Sequence, residues 1–475
     1  MSTLTARFAT AQDLAGRSKK QWGQLCDHYL PVTIPNSIWR YSRRGTSADL
    51  KQGWKLHISA TVLTANTVLS RVAPFLQARS VLFKAPASLG ELGKINCGLF
   101  YGYCQVGKFI TVYPQSGEEA VSLARQLHRL THRISAPSIP FDSRYERDSC
   151  VYYRYGAFEL LEMVYPDGSR MAAIKDPEGN LIADRRYSAD AQPEWVTNPF
   201  RSESADYKVP ESPLTSTYVG FAALVQRGKG GVYKGVDTSG ERPRFCIIKE
   251  GRKNGEVSWD RRDGRWRIKH EKKVLKYLGQ QGLPVPEVYD SFDVEQNHYL
   301  ITEFIAGESL QAILARRKRR YSLKQALRYS LELATLIGRI HDCGWTWRDC
   351  KPSNILLTPS GLRLLDFEGA CPVSENDPVP WGTPPFVPPE WEIHGSTRSG
   401  VYDDAYALGG VIYLLLYGKL PEGTAEVDSK RDRKRIPREI QEVVSKLLSS
   451  DPAARPEIGS VVSCLRQALS SSAGK

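Results

Sequence analysis

The feature that most constrains this chain is an ordered run of short polar motifs between residues 228 and 369, each hung on an apolar strand or helix. Gly228-x-Gly230-Gly231-Val232-Tyr233 lies between two strand-like runs. Glycines at such a place let backbone N–H groups come up to triphosphate oxygens with no Cβ in the way. Phe245-Cys246-Ile247-Ile248-Lys249 ends an apolar strand in a lysine that can bind α- and β-phosphates once a carboxylate orients it, and Glu271 in the next helical stretch is spaced for that task. Trp347-Arg348-Asp349-Cys350-Lys351-Pro352-Ser353-Asn354 offers an acid to orient a hydroxyl (Asp349), a lysine for the γ-phosphate (Lys351) and an amide for a metal ion (Asn354). Asp366-Phe367-Glu368-Gly369 follows an apolar strand and adds a metal-binding carboxylate, Asp366. Any one fragment reads as well as a turn or a salt bridge; the set, in this order and spacing, does not.

The set resembles the eukaryotic-type protein kinase signature over residues 216–468, with Trp347 where histidine is usual and Glu368 where glycine is usual. On that resemblance Pro388-Pro389-Glu390 stands at the Ala-Pro-Glu position, Asp404 belongs to the large C-lobe helix, and Arg455 pairs with Glu390. Glu303 and Ile305 fall in the hinge that grips the nucleotide base. The implied fold is bilobal, with an N-lobe at 216–305 and a C-lobe at 306–468, and the implied cofactors are ATP or GTP with Mg2+. Lys249, Asp349, Asn354 and Asp366 are all present, so an active kinase is expected rather than a pseudokinase. The activation segment has few hydroxyls (Ser374, Thr383), so a phosphorylation switch there is not expected.

The rest of the chain has room for more. Its 475 residues make a prior of about three domains, and 41% hydrophobic with 25% charged residues is globular composition. There is no run of about 18 apolar residues to span a bilayer, and residues 1–20 lack the apolar stretch of a secretory signal. Nine cysteines show neither a CxxC pair nor metal-ligand spacing, which fits a reduced, cytoplasmic setting. Of the formal charge of +13, most lies in residues 1–165, which hold 20 Lys/Arg against 11 Asp/Glu. That surplus by itself points to an anionic partner: nucleic acid, membrane or a phosphorylated substrate. The basic runs Arg316–Arg320 and Lys430–Arg435 read as solvated faces, and neither nucleic acid nor membrane is expected as a partner.

The expected fold class is α+β throughout. Residues 1–165 alternate strand-like runs (54–60, 108–114) with amphipathic helical ones (65–80, 118–134) and form a first domain. Residues 166–215, punctuated by Pro, Gly, Asp and Asn, read as a linker with short strands or turns. In the first domain Lys55 and His57 stand two apart on one strand, so both face one way. Lys84 follows in a second strand, and Lys94, Arg147 and Arg154 lie further on. Cations around one imidazole suit a phosphate with a general acid beside it.

GWKLHISA, VLFK, KINCGLFYGYCQVGKFITVYP, VYYRYGAF, DRRY…PEWVTNPF and GKGGVYKG…IIKEGRKNGEVSWDRRDG…HEKKVL together resemble class III lanthipeptide synthetases over nearly the whole chain. The resemblance implies that the first domain is a phosphoSer/Thr lyase similar to phosphothreonine lyases. Lys84 is then the base that takes the Cα proton, His57 the acid for the departing phosphate, and Lys55, Arg147, Arg154 and Lys94 the phosphate-binding cations. The implied partner is a precursor peptide with a leader segment, whose Ser/Thr are phosphorylated and then converted to dehydroalanine or dehydrobutyrine. Such synthetases continue into a cyclase-like domain, and this sequence ends at Lys475, shortly after Arg455. Either it is a piece of a longer chain, or it is a two-domain enzyme whose cyclase is unnecessary or is supplied by a partner, a separate cyclase or modifying enzyme. Two rivals stay open: a signalling Ser/Thr kinase with a non-catalytic basic binding domain, and a non-catalytic binder of an acidic leader peptide.

Overall fold

A computed structural model describes residues 3–188, 192–200, 211–317, 320–375, 377, 381–390, 400–420 and 435–471. Residues 318 and 319 of one basic run and 430–434 of the other lie outside them.

The chain opens with a long helix, α1 (Thr3–Tyr29), and then builds a seven-stranded sheet. Its strands are β1 (Val32–Thr33), β2 (Trp39–Tyr41), β3 (Gln52–Ile58), β4 (Leu82–Pro86), β5 (Ile110–Tyr113), β6 (Ser143–Arg144) and β7 (Val151–Ala157), in spatial order β1-β2-β4-β5-β3-β7-β6. Every neighbouring pair is antiparallel. Three helices intervene: α2 (Ala65–Gln77), α3 (Leu89–Cys97) and α4 (Gly117–Leu130). Ser88 and Ser116 cap α3 and α4 by accepting from the N–H groups of Glu91 and Glu119, which satisfies donors the first turn would leave unpaired.

Alternation sorts each strand into two faces. Trp54, Leu56 and Ile58 of β3, Phe83 and Ala85 of β4, and Ile110 and Val112 of β5 share one core with Leu69, Val72, Leu123 and Leu127 from α2 and α4 and with Trp22 from α1. Lys55, His57, Lys84 and Arg154 are therefore left to the opposite face. Residues 166–215 are more than a connection. β8 (Glu162–Val164), β9 (Arg170–Lys175) and β10 (Leu181–Ala183) form a three-stranded sheet. Gln52 Nε2 donates to Lys175 O at 2.8 Å, and Phe200 stacks on Tyr153 with ring centroids 3.9 Å apart.

After a single turn, α5 (Pro213–Ser216), comes a five-stranded antiparallel sheet of order β11-β12-β13-β15-β14: β11 (Tyr218–Arg227), β12 (Gly230–Asp237), β13 (Arg244–Gly251), β14 (Val288–Val294) and β15 (Asn297–Glu303). Helix α6 (Gly264–Gln280) packs on β13 and β15. The helical lobe contains α7 (Leu310–Arg316), α8 (Leu323–Asp342) and helices Val401–Tyr417, Arg438–Leu447 and Ile458–Ser471. One core runs from Ile268, Val274 and Leu278 of α6 through Leu333 and Ile337 of α8 to Leu408, Val411 and Val461, so the two lobes share a hydrophobic seam. Among the described residues no helix is long and apolar enough to cross a membrane.

Candidate active site

Two polar sites emerge, one in each half of the chain. The cleft between the lobes collects the motifs between 228 and 369. Lys249 Nζ lies 2.7 and 2.8 Å from the two Glu271 oxygens and 3.8 Å from Asp366 Oδ1. Burial works against that ammonium, but Glu271, Asp366 and Glu368 hold its pKa above the usual lysine value. Asp349 Oδ2 accepts from Lys351 Nζ and Asn354 Nδ2, each at 2.8 Å. Its Oδ1 is buried with no partner, which leaves it free to accept from a substrate hydroxyl. Burial and the neighbouring Asp366 charge push Asp349 up to about 6. Burial also opposes ionised Asp366, yet Lys249, Lys229 and Lys351 hold its pKa below the usual carboxylate value.

Trp347, at the usual histidine position, is fully buried and stacks on Phe367; its indole N–H donates to the carbonyls of Leu365 (3.2 Å) and Asp366 (3.0 Å). Asp404 accepts the N–H groups of Trp347 (2.8 Å) and Arg348 (2.6 Å), and Arg455 meets Glu390 at 2.7 Å. Glu303 spends its side chain on Arg363, 2.6 Å away, and Ile305 is buried beside it in sequence. The donor set suits a nucleotide and a divalent ion: oxygens of Glu271, Asp366 and Glu368 lie within 4.8 Å of one another, a hard-oxygen cluster flanked by lysines.

One expectation about the glycines is corrected. Gly228 N–H donates to Cys97 O at 2.9 Å, so it is not directed at phosphates. A Cβ at Gly228 would sit 1.6 Å from Asn96 O. This glycine serves a close approach between the two halves. Gly230 makes a comparable approach to Glu250 O. The sequence reading also passed over Lys229, whose ammonium pairs with Glu368.

The second site lies on the polar face of the first sheet. Register places Thr111 of β5 opposite both His57 of β3 and Lys84 of β4. The imidazole and the lysine thus flank one residue, with their strands two spacings, roughly 10 Å, apart. Arg154 of β7 is opposite Lys55. Gly156, next on that face, makes room: a Cβ there would come 3.0 Å from Arg154 Nη1 and 3.2 Å from Lys55 Cε. Lys84 Nζ lies 4.5 Å from the ring centroid of Trp39. Burial, helped by the charge of Arg186, lowers its pKa to about 8.

His57 Nδ1 is 2.5 Å from Asp142 Oδ2, and Lys108 Nζ is 3.1 Å from Asp142 Oδ1. Burial is the largest cause of an imidazole pKa near 3, with Lys108 and Lys55 adding to it and Asp142 opposing. The ring is therefore neutral, with Nδ1–H donating to the carboxylate. Lys55 donates to Ala157 O at 2.6 Å, and burial, with Arg154 and Arg186 alongside, takes its pKa well below the lysine value. Arg154 pairs with Asp184, which also accepts from Arg186 at 2.9 Å.

Lys55, His57, Lys84 and Arg154 share this face, but two expected cations do not join them. Lys94 is exposed on α3 and pairs with Glu91 at 2.9 Å. Arg147 is exposed between β6 and β7, where its carbonyl accepts from Arg144. A helix surface and a hairpin turn carried them away from the sheet face. Lys108, Asp142, Asp184 and Arg186 were not picked out. Lys108 and the Asp184–Arg186 pair lay in stretches already singled out by pattern; Asp142 had no local signal.

The lobes and the cleft define a protein kinase: the family model described as protein kinase domain matches residues 225–465, and the chain belongs to that family. Such a domain implies ATP and a divalent metal ion. The family model described as RamC, N-terminal domain, matches residues 33–212, taking in most of the segment read as a linker. The chain is 32% identical to a probable SapB synthase of Streptomyces coelicolor over 77% of its own length, and spans 40% of that relative. It is 33% identical to the citron rho-interacting kinase of Rattus norvegicus over 31% of this chain and 8% of that one. A cAMP-dependent protein kinase, catalytic subunit-like, of Caenorhabditis briggsae is 32% identical over 40% of this chain and 50% of that one.

Proposed function

We propose that this chain is a two-step peptide dehydratase of lanthipeptide type: the kinase cleft phosphorylates Ser or Thr of a precursor peptide, and the N-terminal sheet eliminates the phosphate. The observation that carries the reading is the register that sets Lys84 and His57 on either side of Thr111, beside Lys55 and Arg154. An ordinary binding surface has no need of a half-buried lysine with its pKa lowered to about 8 on the same sheet face as a buried imidazole.

In the cleft, a bound nucleoside triphosphate with its divalent ion supplies the phosphoryl group. Asp349 Oδ1 accepts the substrate hydroxyl, with Lys351 and Asn354 fixing its carboxylate from the other oxygen. Asp366, Asn354 and Lys249 are the groups that would hold metal and phosphates. On the sheet, neutral Lys84 takes the Cα proton, the Cα–H electrons form the Cα=Cβ bond, and the Cβ–O bond breaks toward phosphate. Arg154 and Lys55 meet the leaving charge with fixed donors. A phosphate dianion near His57 would add to the pull of Asp142 and favour the protonated ring, which then gives its proton to the departing oxygen.

Mass spectrometry of a Ser/Thr-rich precursor peptide incubated with nucleotide and Mg2+ tests the sequence of steps. Wild type should give peptide lighter by one water per site. Lys84→Ala should accumulate phosphopeptide, because losing a general base typically costs about 10²–10⁴-fold. Asp366→Asn should stop phosphorylation yet still eliminate from a pre-phosphorylated peptide. Stable phosphopeptide from wild type, never dehydrated, would leave a signalling kinase with a phosphate-binding domain.

A further inference from the structure

Glu368 creates a problem for any nucleotide. It is buried at 5% exposure, in the same carboxylate cluster as Asp366 and Glu271, where the signature usually has glycine. A carboxylate there repels triphosphate oxygens in a low-dielectric cleft. The answer to that charge comes from the opposite wall. Arg227 pairs with Gly230 in the β11–β12 ladder, so Gly228 and Lys229 are the two turn residues at the hairpin tip. The Lys229 ammonium reaches Glu368 while its side chain keeps 29% exposure.

The tip has little freedom to withdraw. Gly228 N–H is tied to Cys97 O at the end of α3, and Lys229 O accepts from Arg252 N–H at 2.8 Å. Gly264 approaches that carbonyl so closely that a Cβ would come within 1.7 Å of it. The N-terminal domain thus holds the tip on one side while the lysine side chain enters the cleft on the other. Lys249 enters the same carboxylate cluster from β13.

We propose that Lys229 is a second nucleotide-phosphate ligand, and that Glu368 positions it and is neutralised by it. This rests on the nucleotide-dependent kinase reading. Two ammonium groups, from β13 and from the hairpin tip, then converge on the triphosphate. Glu368 sets the Lys229 rotamer and keeps the ammonium beside Asp366 rather than in solvent.

Equilibrium binding of a fluorescent ATP analogue with Mg2+, together with thermal melting of the full chain, separates this from a strut. Lys229→Met leaves Glu368 uncompensated and should weaken binding tenfold or more. Glu368→Gln removes the repelling charge yet keeps an oxygen to accept from the Lys229 ammonium, so it sets the reference affinity. The deciding comparison is Glu368→Gln against the double variant Lys229→Met/Glu368→Gln, since neither leaves a buried charge unpaired. The double variant should bind at least fivefold more weakly than the single one. Equal affinities in that pair, or a Lys229→Met protein that melts lower but binds as wild type does, would overturn the proposal. Wild type that binds the analogue but phosphorylates no peptide would overturn only the function proposed above; wild type that binds no nucleotide would overturn both.

Discussion

A single side chain sets the expected pH behaviour of the sheet site. Lys84 owes its pKa of about 8 first to burial and then to Arg186. A base works only when deprotonated and an acid only while it holds its proton, so with Lys84 near 8 and His57 near 3 in the free enzyme, kcat/KM for elimination from a phosphopeptide should run level up to a break near pH 8 and fall tenfold per unit above it. Arg186→Gln removes the opposing cation, so the break should move to higher pH, as a rate profile between pH 6 and 10 would reveal. A profile flat through 8 would remove Lys84 from the role of base. Asp142 supports the same site from beneath. It is the common partner of His57 and Lys108, and burial of its charge is offset by theirs. Asp142→Ala strands Lys108 in the interior, and breaking a buried ion pair from one side costs about 3–5 kcal/mol. Chemical denaturation should register that loss in the N-terminal domain. The basic side chains Lys55, His57, Lys84 and Arg154 were legible because a strand or a short motif marked each of them. Asp142 and Asp184 were not, because a carboxylate that neutralises a cluster from a distant loop leaves no local pattern.

At the scale of elements, alternation carried most of the information. The run read as a strand at 54–60 is β3 (Gln52–Ile58), and that at 108–114 is β5, trimmed to Ile110–Tyr113. The helical stretches at 65–80 and 118–134 are α2 (Ala65–Gln77) and α4 (Gly117–Leu130). What a period of two cannot give is which strands become neighbours, and here that is the whole of the site: β5 lies between β3 and β4 and brings Lys84 level with His57. The same strand shows the division of labour. Leu56 is fully buried among the core residues, between the two functional side chains on the other face. Leu56→Ala should cost about 2–5 kcal/mol in unfolding free energy of this domain, and surviving folded protein should keep elimination close to wild type. Lys55→Met should show the converse, a folded protein with weakened phosphopeptide binding. Equal effects of both on binding would mean that the two faces are not functionally separate. Lys94 and Arg147 mark the limit of the method. Each is a cation near the right motif, and each was removed from the face by the geometry of its own helix or turn.

Across the whole molecule the two sites share no residue, yet the halves are joined where Cys97 O meets the hairpin tip and where Tyr103 lies 4.9 Å beneath the Arg252 guanidinium. The kinase motifs identified their domain from sequence because each sits within a few residues of its own strand or helix. The junction was invisible there because Asn96 and Cys97 lie far from Gly228 in the chain and join it through backbone atoms. Whether the phosphopeptide passes between sites within one chain or through solution is a property at this scale, and loss-of-function pairs decide it. On the proposed roles, Asp366→Asn lacks a metal carboxylate but keeps the sheet site, and Lys84→Ala lacks the base but keeps the cleft. If phosphopeptide is released between steps, an equimolar mixture of the two variants should yield dehydrated peptide although neither does alone. The rate should rise with the concentration of the Asp366→Asn partner, since capture is then bimolecular. Peptide that stalls as phosphopeptide in the mixture, when the Asp366→Asn protein eliminates normally from added phosphopeptide, would mean that the intermediate is retained by the chain that made it. The sites share no residue and each can act on its own substrate, so the expected result is complementation, with transient phosphopeptide visible before the dehydrated product.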